Sequence, residues 1–482
     1  MARAAKKETA LTAEEKLAQA LVSDAEQPYP VPENWCWVKL GSISFHISDG
    51  SHNPPKDSGK GVPLLSATNI HDRIIDFEQT ARWITNEEWV LENERTRIEV
   101  GDILLTIVAT IGRVAVVTTE QPFALQRSVA TIKPKINAQY LAYYFESPYV
   151  QTFMNTNAKG TAQKGFYLNS LENLFCAIAP LAEQQRIVDR IESLFAKLDE
   201  AKEKAQAVVD GFEERRTMIL HKAFSGELTA NWRRTHNVSE ASWELLTLND
   251  VADYKKGPFG SSITKAMFVP KGEHTYKVYE QGNAIRKTLD YGHYYINEQK
   301  YNELKGFSVQ SGDIIISCAG TIGEVYKLPE ECEAGVINQA LMRVRLHSNI
   351  EERFFSYYFG EVLKGDVIDQ ANGTAIKNIP PFKVMKAMEI RLPSFAEQKT
   401  IVNLLDEILQ KEEQAQEAAE QVIDQIDTMK KAILARAFRG ELGTNDPADE
   451  SAEKLLKKYC DFYNSVLLPS FKLLPKKETR RY

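Results

Sequence analysis

Cysteine is scarce in this chain of 482 residues: Cys36, Cys176, Cys318, Cys332 and Cys460 are odd in number and far apart. No C-x-x-C and no His/Cys pair at zinc spacing occurs, which excludes a disulfide framework or a zinc module and points to a reduced, cytoplasmic setting. Long apolar runs are also missing. Nowhere do ~18 apolar residues follow one another, so no membrane-spanning helix is expected, and the basic opening Met1-Ala2-Arg3-Ala4-Ala5-Lys6-Lys7 leads into a charged stretch unlike a secretory leader. There is no G-x-x-x-x-G-K-[ST] loop, hence no ATP site of that kind, and no Gly-rich loop for a methyl donor. An excess of basic residues is absent too, since the net charge is −7. That deficit has an address. Between Glu397 and Met429 nine acids face only Lys399 and Lys411, a local charge of −7, so the rest of the chain is neutral and free to carry basic faces.

What is present is a long internal repeat. Val100-Gly101-Asp102-Ile103-Leu104-Leu105-Thr106 with Thr110-Ile111-Gly112 returns as Ser311-Gly312-Asp313-Ile314-Ile315-Ile316-Ser317 with Thr321-Ile322-Gly323. Gly160-Thr161-Ala162 with Lys164 returns as Gly373-Thr374-Ala375 with Lys377. Pro180, Glu183-Gln184 and Ile187-Val188 return as Pro393, Glu397-Gln398 and Ile401-Val402, and each copy closes on Ala-Phe-x-Gly-Glu-Leu at residues 223–228 and 437–442. A period of this length is a duplicated domain and not a solenoid unit of ~20–50 residues. Two like domains in one chain make a pseudo-twofold object suited to a target in two halves.

The pattern predicts an α+β protein: two similar strand-rich domains separated by an antiparallel two-helix coiled coil. Residues 1–30 read as an N-terminal helical extension, with a helix over 11–22 capped by Thr12. Residues 31–181 form the first strand-rich domain, with Ala138–Phe145 its best helix. Residues 182–228 are the first long helix, 229–395 a polar linker and the second domain, 396–442 the second long helix, and 443–482 a tail. Ile187, Ile191, Leu194, Leu198, Ala201, Ala205, Val208, Phe212, Arg215 and Ile219 step by four and three, as do Ile401, Leu405, Ile408, Glu412, Ala415, Ala419, Val422, Ile426, Met429 and Ile433. Each seam has one charged flaw. In an antiparallel pair symmetric about its midpoint, Arg215 falls beside Glu412 and the flaws compensate. The stretch from Ile187 to Ile219 is about 50 Å long at ~1.5 Å per residue.

This order of elements resembles the specificity subunit of type I restriction-modification enzymes over almost the whole chain. The carriers are the P-x(2–3)-E-Q-x-x-I-V helix starts, the A-F-x-G-E-L ends, and the domain openings Asp49-Gly50-Ser51-His52-Asn53 and Gly257-Pro258-Phe259-Gly260-Ser261-Ser262. So do Asn69-Ile70 and Gly282-Asn283-Ala284-Ile285. The resemblance implies a non-catalytic subunit whose two target recognition domains each read one half of a split DNA site. It implies helices that set the gap and dock two modification subunits, with restriction subunits outside them. S-adenosylmethionine, ATP and Mg would then belong to partners, and double-stranded DNA is the target. A coiled-coil protein scaffold with duplicated binding domains is the rival, and a self-contained methyltransferase-nuclease is disfavoured by the missing donor loop.

No catalytic or metal residue is expected. Asn53-Pro54-Pro55 approaches the N-P-P-aromatic motif of adenine methyltransferases, but Lys56 takes the aromatic place and the segment reads as a turn. Glu200-Ala201-Lys202 imitates the end of a nuclease signature on a solvated helix face, and His52 has no second ligand at metal spacing. Contacts to phosphate are expected from the repeated glycine turns, Gly160, Thr161 and Lys164 with Gly373, Thr374 and Lys377. Base readers are expected among Ser51, His52, Asn53, Lys56, Lys60 and Gln163, and among Lys255, Lys256, Ser261, Lys265, Gln281, Asn283, Arg286 and Lys287.

Overall fold

Thr12 accepts from the Glu15 amide while the Glu15 carboxylate accepts from the Thr12 amide, a capping box that starts helix Ala13–Ala20 where the sequence places it. The structure, a computed structural model, describes residues 12–160, 163–363 and 381–466. It divides into two units, Met1–Lys204 with Val422–Tyr482, and Ala205–Gln421.

Both units are built on one plan. In the first, strands Ser44–Asp49, Val129–Pro134, Ile103–Thr106 and Val114–Val116 lie side by side in that order, all antiparallel. In the second, Ala252–Lys256, Leu341–Leu346, Ile314–Ser317 and Val325–Lys327 repeat it. The wholly apolar runs Ile103-Leu104-Leu105 and Ile314-Ile315-Ile316 are interior strands buried on both faces. A second sheet crosses each. Val62–Leu65 runs parallel to Ala124–Leu125, as Thr275–Tyr279 does to Gly335–Ile337. Gly50 and Gly257 mark the crossing. A Cβ on Gly50 would meet the Leu125 carbonyl oxygen at 2.1 Å, and one on Gly257 that of Asn338 at 1.8 Å, so only glycine fits.

Each domain closes by pairing its first strand with its last, Cys36–Lys39 with Phe175–Ile178 and Glu244–Thr247 with Glu389–Leu392. The chain then enters a long helix. In the first unit the helix Leu181–Asp210 and the end of helix Phe395–Ala437 run antiparallel, with Lys202 Nζ 3.3 Å from Asp427 Oδ1 and Lys430 paired to Asp199. In the second unit helix Phe212–Phe224 meets the start of Phe395–Ala437, and Arg215 Nε donates to Glu412 Oε2 at 2.7 Å. The two seam flaws therefore form one ion pair. The first helix is interrupted at Gly211, and Arg215 Nη2 there donates to the Val208 carbonyl at 2.9 Å, supplying a partner where the helical ladder slips. A Cβ at Gly211 would stand 2.6 Å from Arg215 Nη1, so the glycine makes room for the guanidinium. Reversing one charge, Arg215→Glu or Glu412→Arg, should destabilise the second unit. The double reversal should recover about 0.5–3 kcal/mol of coupling in denaturant unfolding; a double variant no better than either single would refute the pairing.

The seams follow the expected heptads only in part. Ile187, Ile191, Ile401, Leu405 and Ile426 are buried, and Leu194, Leu198, Phe212, Ile219, Ile408 and Ile433 are half-buried. Val422 is 41% exposed and Met429 47%, contrary to the seam reading, and Ala415 is exposed as well. A helix of 3.6 residues per turn drifts by ~20° per heptad, and Ile423, Lys430 and Leu434 take the inward places. Phe195, Leu220 and Leu409 are buried deeper than the adjacent Leu194, Ile219 and Ile408 because they face the cores of their own domains.

Residues 229–242, the polar linker of the sequence pattern, carry helix Ala230–Thr235 with Arg233 buried. The tail is also structured: helix Ala452–Val466 packs on helix Ala13–Ala20, burying Leu17, Ala20 and Leu456. No described helix is long and apolar enough to cross a membrane.

Candidate nucleic-acid interface

The repeated Glu-Gln pairs are wholly buried at the start of each long helix and root the domain on it. Gln184 donates to the Ala179 carbonyl at 2.8 Å and accepts from the Asn137 amide at 3.1 Å. Gln398 does the same with the Pro393 carbonyl (2.9 Å) and the Glu351 amide (2.7 Å). Asn137 and Glu351 cap the helices Ala138–Glu146 and Glu352–Tyr357, so each Gln ties a domain helix to the long helix. The Glu of each pair takes the segment that follows an Ala-Phe-x-Gly-Glu-Leu end. Glu183 accepts from Trp35 Nε1 (2.7 Å), Thr444 Oγ1 (3.1 Å) and Asn445 Nδ2 (2.8 Å). Glu397 accepts from Thr229 Oγ1 (2.7 Å) and Arg233 Nη1 (2.5 Å).

With the domain rooted in this way, one end of its main sheet gathers the loops. In the first unit Asp49, Val129, Thr106 and Val114 stand at the same sheet end, which places loops 50–61, 107–113 and 126–128 together. The Gly160 turn joins them: the Ala109 amide donates to the Lys164 carbonyl at 3.0 Å, and the Phe166 amide to that of Ile107 at 2.7 Å. Gly160, Gln163 and Lys164 are exposed there. His52, Asn53, Lys56 and Lys60 are exposed along loop 50–61. Backbone amides of Trp83 and Gly59 hold the Asp57 carboxyl below the usual range and so brace the turn between the two lysines. In the second unit Lys256, Leu341, Ser317 and Val325 mark the equivalent end, with loops 257–262, 318–324 and 338–340. Lys255, Lys256, Ser261 and Lys265 are exposed, with Lys255 Nζ 4.9 Å from the Phe307 ring centre. Phe259 stands almost fully in solvent at the tip of its loop. Arg286 and Lys287, also exposed, close the helix Gln281–Arg286, with Arg286 over the Tyr291 ring.

Three expected readers are placed otherwise. Ser51 is buried and donates to Glu92 Oε1 at 3.1 Å. Asn283 is fully buried, accepting from the Glu280 amide and donating to the carbonyls of Thr288 and Tyr291 at 3.0 Å each. Asn69 does the same work in the first unit, between the Ser66 amide and the Asp76 carbonyl, so this repeated Asn is a turn-builder. Gln281 is half-buried with its Oε1 turned inward. Thr161, Gly373, Thr374 and Lys377 lie outside the described residues.

Arg95, Arg127, Lys159 and Gln339 also reach this surface, and sequence reasoning passed them over. Arg127 and Gln339 sit in loops 126–128 and 338–340, and the Arg127 amide donates to the Ser51 carbonyl at 3.0 Å. Lys159 opens the Gly160 turn, which its adjacency to that glycine could have suggested. Arg95 comes from a helix 46 residues away from its partner Asp49, and no local signal marks it.

A module that offers exposed cations on the loops of one sheet end, made twice in one chain, has the chemistry of a duplicated polyanion binder. The family model described as type I restriction modification DNA specificity domain matches residues 32–209 and 240–423, and the chain belongs to that family as a specificity subunit with two such domains. It is 32% identical over 209 residues to the type I restriction enzyme EcoBI specificity subunit of Escherichia coli, a match spanning 42% of this chain and less than half, 44%, of that protein. With the StySPI specificity subunit of Salmonella potsdam it shares 21% identity over 440 residues, 86% of this chain and 90% of the relative. Among solved structures, the HsdS subunit from Thermoanaerobacter tengcongensis shares the fold, with a TM-score of 0.58 at 19% identity over 86% of this chain and all of that one.

Proposed function

We propose that this chain is the DNA-recognition subunit of a type I restriction-modification complex and has no catalytic centre of its own. Each domain reads one half of a bipartite, asymmetric duplex site through the loops gathered at its sheet end. The long helices set the gap between half-sites and dock two modification subunits, which methylate adenine with S-adenosylmethionine. Restriction subunits using ATP and Mg join that core, in the cytoplasm. The observation that carries the reading is the duplication itself: the same loops stand at the same sheet end in both units, with different side chains on them. Shared scaffold with divergent loops is what two readers of unlike half-sites require.

The test is selection of bound duplexes from a random library by the full chain co-purified with its modification subunit. A two-part motif with a fixed gap is expected. Exchanging residues 35–179 for the equivalent domain of another specificity subunit should change one half of the motif and leave the other half and the gap intact. Binding without sequence preference would instead favour a protein scaffold.

A further inference from the structure

We infer that Arg95 is a specificity-determining residue that reads a guanine in the half-site facing the first domain. The inference rests on the DNA-recognition reading above and adds a base and an atom-level contact to it. Arg95 lies in the last turn of helix Asn86–Thr96, and its side chain is 50% exposed. Its inner edge is fully engaged. Nε donates to the Asp49 carbonyl at 2.9 Å, and Nη2 donates to Asp49 Oδ1. Asp49 ends the outer strand of the main sheet, and its side chain is only 10% exposed, so the clamp is anchored in the scaffold.

The other charged or titratable groups at this spot are consistent with an outward-facing guanidinium. His52 Nε2 donates to the second carboxylate oxygen, Asp49 Oδ2, at 2.8 Å; carrying that proton, it cannot also accept from Arg95 Nη2, which lies 3.4 Å away. Glu92, on the same helix, is held by the Ser51 hydroxyl. A guanidinium has five N–H donors. Two are spent on Asp49 along the Nε–Nη2 edge; one remaining hydrogen on Nη1 and one on Nη2 point the same way from the end of the group and form a planar two-donor edge, while the second Nη1 hydrogen points back toward Cδ. Guanine presents O6 and N7 as paired acceptors in the major groove, and a planar two-donor edge matches that pair better than any other base. A flexible arginine would contact phosphate as readily; one held along its Nε–Nη2 edge by the carbonyl and the buried carboxylate of Asp49 has already lost the freedom that base reading costs.

The experiment uses the full chain with its modification subunit, duplexes from the random library, and then duplexes carrying 7-deazaguanine, which lacks the N7 acceptor. In the native protein one position of one half-site should require guanine, and 7-deazaguanine there should weaken binding. Arg95→Lys keeps the charge but loses the planar edge. It should cut discrimination for guanine at that position by about 5- to 150-fold, remove the sensitivity to 7-deazaguanine, and leave the other half-site as before. Asp49→Asn, which weakens the clamp without touching the reader, should give a smaller loss at the same position. Equal weakening on every sequence would make Arg95 a phosphate contact and overturn the inference, as would loss at no single position. Absence of any motif with the native protein would remove the DNA-recognition reading and this inference together.

Discussion

Glu397→Ala should destabilise the second unit by about 3–5 kcal/mol, read as a shift of its transition in denaturant unfolding. Glu397 is fully buried, and the Arg233 side chain is 7% exposed. Thr229 Oγ1 and Arg233 Nη1 both donate to Glu397 Oε1, and Arg233 Nη2 donates to the Gly226 carbonyl at 2.6 Å. Removing the carboxylate leaves a guanidinium inside the protein with its countercharge gone, and that residual charge, more than the lost bonds, sets the size of the effect. The control follows from the same reasoning. Arg233→Met combined with Glu397→Leu removes both charges and should recover most of the loss. If the double variant is as unstable as Glu397→Ala alone, packing and not the orphaned charge is responsible.

Phe438→Ala should cost the first unit about 3–5 kcal/mol by the same measurement, the range for emptying a buried aromatic site. Phe438 is fully buried, and its ring meets Tyr140 and Tyr144 edge-on with centroids 5.2 and 5.0 Å away. Both tyrosines are locked by hydrogen bonds, to the carbonyls of Ala177 and Phe175, so they cannot swing into the space. Phe224 holds the matching place in the second unit against Phe354 and Tyr358, at 5.4 and 5.2 Å. The Phe of the repeated helix ending is thus the bolt between a long helix and a domain. A loss below about 1 kcal/mol would show that the site collapses around the gap.

Much of this was legible in the chain because it depends on local pattern. The capping box at Thr12 and Glu15, the central apolar strands and the long helices each follow from neighbours within one or two turns. The Arg215–Glu412 pair was legible for another reason: two seams with one charged fault apiece can be aligned by those faults. Val422 and Met429 were misread because a strict 3.5-residue period was extended along a helix that does not keep it. Ser51 and Asn283 have the chemistry of base readers, and only burial shows that their hydrogen bonds are used within the protein. Arg95 was invisible for the opposite reason, since its importance lies in a carboxylate that only the sheet brings to it. Glu183 and Glu397 stood out as repeated, but their partners Thr444 and Thr229 lie 261 and 168 residues away, beyond any pattern.

The first unit is discontinuous in the chain, with Ala205–Gln421 intervening between its two parts. A ribosome therefore releases Tyr140, Tyr144 and Glu183 long before Phe438 and Thr444 exist to cover them. At ~5–20 residues per second that interval lasts roughly 12–60 s. Throughout it the nascent first domain carries an open aromatic socket and a Glu183 carboxylate served by Trp35 alone, while the second unit, contiguous in sequence, can finish folding. The domain made first is the one completed last.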